Sequence, residues 1–145
     1  MSKPSKPAPQ IGFLLQRAHN VLRARLTAEL AGTGLHLGHV AILGTTWRTP
    51  GLSQRTLSAL TGIEKSSVVI FIDTLEREGW MRRGPHPSDR RTRSLYVTAE
   101  GLALLGRIGP RLQEVENRMI AVLSDAERDA LADSLAKLAP LPDQA

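Results

Sequence analysis

Five arginines, Arg82, Arg83, Arg90, Arg91 and Arg93, crowd around a Pro/Gly/Ser hinge in this 145-residue chain, with Asp89 as the one acid among them. Together they put a net charge of +4 between Trp80 and Val97. The hinge, Gly84-Pro85-His86-Pro87-Ser88, is turn chemistry, and residues 80–83 and 93–97 on either side have the length of strands. The segment therefore predicts a β-hairpin with a cationic tip. Such a tip suits a DNA groove, where phosphates on both walls make the potential strongly negative. Taken alone it reads also as a solvated basic loop, and the residues upstream carry the decision.

Covalent chemistry has no comparable support. The chain has no cysteine, which excludes disulfides, thiolate metal sites and thiol redox sensing. There is no Gly-rich phosphate loop and no paired acid–base constellation, Ser66 and Ser67 have no evident His partner, and His86 sits in the hinge. No catalytic residue and no enzymatic activity is expected. His36 and His39, three residues apart, could join His19 around a metal, but no nearby Cys, Asp or Glu completes the set. Neither a metal nor another cofactor is expected.

The arginines follow a run whose elements can be read in order. Ser53 is a plausible N-cap for a short helix over 53–60 that buries Leu57 and Leu60, and Gly62 permits the left-handed turn that follows. A second helix, about 64–78, places Val68, Ile72 and Leu75 on one face, and Gly79 supplies its C-cap. Helix, glycine turn, helix and hairpin is the order of a winged helix–turn–helix.

The remaining chain reads as helices. Residues 11–31 carry Leu14, Ala18, Val21, Leu22, Leu26 and Leu30 at helical spacing before Gly32 and Gly34. Residues 37–47 form another helix, closed by the turn Thr49-Pro50-Gly51. Thr98 caps a helix running towards Val122 with a kink at Gly109-Pro110, and Ser124-Asp125-Ala126-Glu127 is a capping box for a last helix ending near Ala139. The fold class is thus mainly α with a small β-wing: a winged helix–turn–helix flanked by N- and C-terminal dimerisation helices. The expected divisions are a disordered arm over 1–10, an N-terminal dimerisation helix over 11–34, a DNA-binding lobe over 35–98 and C-terminal dimerisation helices over 99–145. Broad Leu/Ala/Val faces at both ends need covering, and a symmetric homodimer covers them; packing within the monomer is the other solution.

Composition sets the remaining bounds. Net charge is +5, which suits a polyanion, although the C-terminal part is acidic through Glu114, Glu116, Asp125, Glu127, Asp129 and Asp133. Aromatic residues make up only 3%, so the core must be built from Leu, Ala, Val and Ile. No apolar run approaches ~20 residues and no signal-peptide pattern opens the chain, so a cytoplasmic protein with no membrane partner is expected.

Three motifs sharpen the reading: Ile63-Glu64-Lys65-Ser66-Ser67-Val68, Leu75-Glu76-Arg77-Glu78-Gly79, and Asp89-Arg90-Arg91 followed by Leu95 and Thr98-Ala99-Glu100-Gly101. With the order of elements, they resemble the MarR (multiple antibiotic resistance regulator) family of bacterial transcription factors over about residues 11–138. The resemblance implies a dimer with intertwined terminal helices, binding to double-stranded DNA at a palindromic operator, usually as a repressor, and release by a small-molecule effector. It places Arg91 at the wing tip in the minor groove, with Asp89 orienting it and Arg90 beside it; a plain surface Asp–Arg pair is the alternative. Lys65, Ser66 and Ser67 fall at the major-groove end of the second helix, and Ser53, Gln54 and Arg55 near phosphate, with Ser53 equally a simple N-cap. Arg82 and Arg83 flank the wing, as phosphate contacts or as solvated strand residues. His19, Arg23, His39 and Trp47 lie on elements that line the family's effector pocket, although Trp47 and Tyr96 read first as packing residues.

One departure stands out. Many members carry threonine and arginine where this chain has Val69 and Ile70, which offer only apolar contact, for instance to thymine methyl groups. Either specificity leans on DNA shape and the wing, or the helix is rotated by part of a turn. A winged helix used for protein–protein contact, its wing meeting an acidic partner, is the rival function.

Overall fold

The computed structural model describes residues 10–86 and 88–140. Apart from Gln10, the predicted N-terminal arm lies outside these residues. Six helices and one hairpin follow in order: α1 (Ile11–Glu29), α2 (Leu37–Arg48), α3 (Gln54–Thr61), α4 (Lys65–Arg77), β1 (Met81–Pro85), β2 (Arg93–Val97), α5 (Ala99–Ile120) and α6 (Asp125–Leu138). The two strands pair antiparallel, Met81 opposite Val97 and Pro85 opposite Arg93.

One core joins the middle elements. Ile42 and Leu43 of α2, Leu57 of α3 and Val68, Ile72 and Leu75 of α4 meet Met81 and Leu95 of the hairpin and Leu104 and Ile108 of α5. As the composition requires, these are almost all aliphatic. The ends differ: neither α1 nor α6 contains a buried residue, and Phe13, Leu14, Val21, Leu131 and Leu135 are exposed along them. α5 runs unbroken through Pro110.

Local chemistry sets the boundaries. Ser53, Thr98 and Ser124 each accept the backbone N–H three residues on, capping α3, α5 and α6. Gly79, at φ 75°, closes α4: its N–H bonds to Glu76 O and that of Trp80 to Leu75 O, both at 2.9 Å. Trp80 thereby spends its N–H on the helix end, so the first strand begins at Met81 instead of residue 80. The strand also reaches further than the turn signals indicate, because Gly84 and Pro85 pair with Ser94 and Arg93. An additional bridge joins Leu52 to Leu95, with N–H···O distances of 2.9 Å for Leu95 to Leu52 and for Gly51 to Leu95. It pins the start of α3 beside the wing. Two packing expectations are corrected: Leu60 is only half-buried, since a two-turn helix buries one full position, Leu57, and Trp47 is 54% exposed near the end of α2.

Candidate nucleic-acid interface

The turn between α3 and α4 is stitched by side chains. Ser58 Oγ donates to Ile63 O at 2.7 Å, Thr61 Oγ1 donates to Leu57 O at 2.7 Å, and Gly62 takes φ 69°. This fixes the rotation of α4. Its buried stripe is Val68, Ile72 and Leu75, so Lys65, Ser66, Val69, Ile70 and Asp73 face solvent. The helix is not rotated: Val69 and Ile70 do point outward, at 41% and 64% exposure. Ser67 does not share that face; it turns, half-buried, into a cleft against α1.

The hairpin carries its cations in two environments. Arg90, Arg91 and Arg93 are exposed, and none of them makes an ion pair among the described residues. Asp89 does not hold the Arg91 guanidinium. Its carboxylate accepts the Arg91 backbone N–H and the Thr92 hydroxyl, both at 2.9 Å, and these bonds, the first foremost, lower its pKa. Asp89 therefore shapes the tip through the backbone and leaves the exposed Arg91 guanidinium without an ion pair among the described residues. Arg82 lies over the Tyr96 ring, 4.5 Å from its centre, and the Tyr96 hydroxyl donates to Pro85 O at 3.0 Å.

Arg83 departs from both sequence-based readings. Its guanidinium binds Glu76 and, at 2.9 Å, Asp73 of α4, so it is neither a free phosphate contact nor a solvated strand residue. Arg93 lines, together with Arg83, a cleft of about 390 Å³ beside Ser53 and Gln54 at the start of α3, but unlike Arg83 it makes no ion pair among the described residues; Arg55 is exposed beside them. Its place in the arginine cluster and the alternation of β2 are the signals by which Arg93 could have been assigned to the interface.

On the other side of α4 lies a cleft of about 570 Å³. α1 gives it His19, Leu22, Arg23 and Leu26, a helical spacing legible in the sequence; Ser67 and Phe71 of α4, Ala41 of α2 and its N-cap His36 form the facing wall. Among the described residues its lining contains one arginine, Arg23, and two histidines but no carboxylate. Trp47 is not part of it. His39 sits behind Phe71, ring centres 4.9 Å apart, and His36 stacks on the same ring at 5.0 Å. The two histidines cap α2: His36 N–H donates to His39 Nδ1 at 3.0 Å and Gly38 N–H to His36 Nδ1 at 2.9 Å. Both Nδ1 atoms are thus occupied as acceptors, and no group of three candidate metal ligands forms among the described residues.

A two-helix reading unit, a basic wing and a cleft beneath the first helix define a winged helix–turn–helix regulator of transcription. Residues 35–92 match the model of the MarR family. The chain is 32% identical over 132 residues to a protein of Thauera aromatica assigned as transcriptional regulator for the hcr operon, covering 90% of this chain and 80% of that one. It is 28% identical over 128 residues to the transcriptional repressor Rv2887 of Mycobacterium tuberculosis, covering 88% and 92%; the structure of Rv2887 with p-aminosalicylic acid aligns at a TM-score of 0.76. CouR from Rhodococcus jostii RHA1, bound to p-coumaroyl-CoA, aligns at 0.79 with 28% identity over 89% of this chain and 91% of that one. The chain belongs to the MarR family of transcriptional regulators. Its relatives are regulators, not enzymes, and among the described residues no helix is long and apolar enough to cross a membrane.

Proposed function

We propose that the protein is a cytoplasmic homodimeric repressor that holds a palindromic operator and releases it when an acidic aromatic effector enters the cleft between α1 and α4. The observation that carries this reading is the double duty of α4. One side presents Lys65, Ser66 and Ile70 to solvent, and the other gives Ser67 and Phe71 to the cleft. A ligand packed on Phe71 touches the same rigid helix that would enter the major groove.

In this reading residues 35–98 read DNA. Lys65 and Ser66 approach the major groove, Ser53, Gln54, Arg55 and Arg93 hold the adjacent phosphates, and Arg82, Arg90 and Arg91 carry the wing to the minor groove. Residues 11–34 and 99–140 dimerise, which would cover the exposed apolar residues of α1 and α6. The two α4 helices must then stand about one DNA turn, ~34 Å, apart. An effector that binds a different spacing more tightly shifts the population by no more than its differential affinity. His19, Arg23 and His36, with Phe71 as an aromatic wall, suit an aromatic acid such as the p-aminosalicylic acid named for Rv2887, or an aromatic group carrying phosphates such as the p-coumaroyl-CoA named for CouR.

Fluorescence anisotropy with DNA from upstream of the protein's own gene, against a scrambled duplex at two salt concentrations, tests this. Selective binding that weakens with salt and with p-coumaroyl-CoA or p-aminosalicylate is expected. Equal, weak binding to that fragment and to duplexes selected from random DNA rejects it.

A further inference from the structure

We infer that Ile70, flanked by Val69, reads the 5-methyl group of a thymine in each operator half-site, so that this protein recognises its site in the major groove by apolar contact; the inference rests on the DNA-binding reading above. The buried stripe of α4 leaves no rotational freedom, and Ile70 stands opposite it at 64% exposure, with Val69 at 41% on the side towards the wing. Both lie in the middle of the outer face. The hydrogen-bonding side chains around it lie a turn or more away along the helix or are already engaged: Lys65 and Ser66 sit at the helix start, Arg77 at its end, Asp73 is bound by Arg83, and Thr74 donates to Ile70 O at 3.1 Å.

Charge decides what covers this apolar spot. Lys65 is exposed at the start of the same helix and Arg82, Arg90, Arg91 and Arg93 on the wing that Arg83 fastens to it, against exposed Glu64 and Glu78, and an apolar spot beside this net positive charge fits a phosphate-walled groove better than an uncharged protein surface. At the floor of that groove, the thymine methyl is the one apolar group on a base edge. A cytosine there would present its N4–H₂ donor to Ile70 and lose a water partner with nothing in exchange.

Thymine-to-uracil substitution removes that methyl and leaves the hydrogen-bonding edge intact. The full chain is first used to select its operator from random duplexes, and each thymine is then replaced singly by uracil. At one thymine per half-site the affinity should fall about fourfold, and on the order of tenfold when both half-sites are changed. Ile70→Ala, exposed and helix-compatible, should bind the thymine and uracil operators equally, with an unchanged thermal unfolding curve. Indifference of the wild type to every uracil, with selective binding retained, overturns the methyl contact alone. A uracil effect that persists in Ile70→Ala removes the contact from Ile70. A selection that yields no preferred sequence removes the regulator reading itself.

Discussion

The Glu76 carboxylate takes two bonds from Arg83: the backbone N–H at 3.0 Å on one oxygen and the guanidinium on the other. Asp73, one turn earlier, holds the same guanidinium at 2.9 Å. Two acids of α4 thus fasten the first strand of the wing, and the helix and hairpin are set as one unit. This half-buried arrangement is worth more than an exposed pair because the guanidinium meets two carboxylates and the backbone closes the ring. Arg83→Met should cost about 1 kcal/mol of stability and weaken operator binding about tenfold. The slope of log affinity against log salt should stay as in the wild type, because the Arg83 guanidinium is already paired with Asp73 and Glu76. A shallower slope would return Arg83 to the set of DNA contacts.

Arg91→Ala should behave in the opposite way. Asp89 shapes the tip through the Arg91 N–H and the Thr92 hydroxyl, neither of which the alanine removes, so fold and dimerisation should be unchanged. Operator affinity should fall about tenfold or more, and the salt slope should shrink by about one per protomer. Unchanged affinity would detach the wing tip from DNA recognition.

How far the residues announce this architecture depends on whether a signal is local. The caps at Ser53, Thr98 and Ser124, the glycine turns at Gly62 and Gly79 and the stripe of Val68, Ile72 and Leu75 are written in short stretches, and the elements lie within two residues of where these signals put them. What escaped needs partners distant in the chain. Arg83 looks like its neighbours until Asp73 and Glu76 are brought beside it, ten and seven residues back on another element. Ser67 looks like Ser66 until the rotation of α4 separates solvent from cleft. Trp47 looks like core by its size alone, yet the helix turns it outward. Phe71 carries no local signal, because its role exists only where two histidines and the cleft against α1 meet it.

Gly101 offers a test of the wing's anchorage to α5. A Cβ at this position would overlap the carbonyl oxygen of Trp80 and crowd Val97, where Thr98 also ties the helix start to Gly79 O at 2.6 Å and, through its N–H, to Trp80 O at 3.1 Å. Alanine in a helix ordinarily gains about 1 kcal/mol over glycine. Here the obstacle is backbone that cannot swing aside, so overpacking of about 3 kcal/mol should win. Gly101→Ala is therefore expected to lower stability by about 2 kcal/mol in denaturant titration, whereas a stabilised variant would contradict the close approach of α5 to the wing.

The histidine cap of α2 makes stability depend on pH. His39 accepts the His36 N–H through Nδ1, and burial, then the neighbouring His36, lower its pKa. Protonating Nδ1 removes the acceptor and adds charge at a helix N-terminus, where positive charge is disfavoured. Because the folded value lies below the unfolded one, the unfolded chain binds more protons through the transition. The contribution is therefore complete above about pH 6.5, the ordinary imidazole value, and is lost as pH falls through the lowered folded value. His39→Phe keeps a ring against Phe71 but strands the His36 N–H, so it should cost about 1 kcal/mol at pH 8. Between pH 8 and pH 5.5 the variant should lose less stability than the wild type, since the titrating group is gone. Urea unfolding at each pH measures both chains, and parallel pH profiles would clear His39 of any part in acid sensitivity.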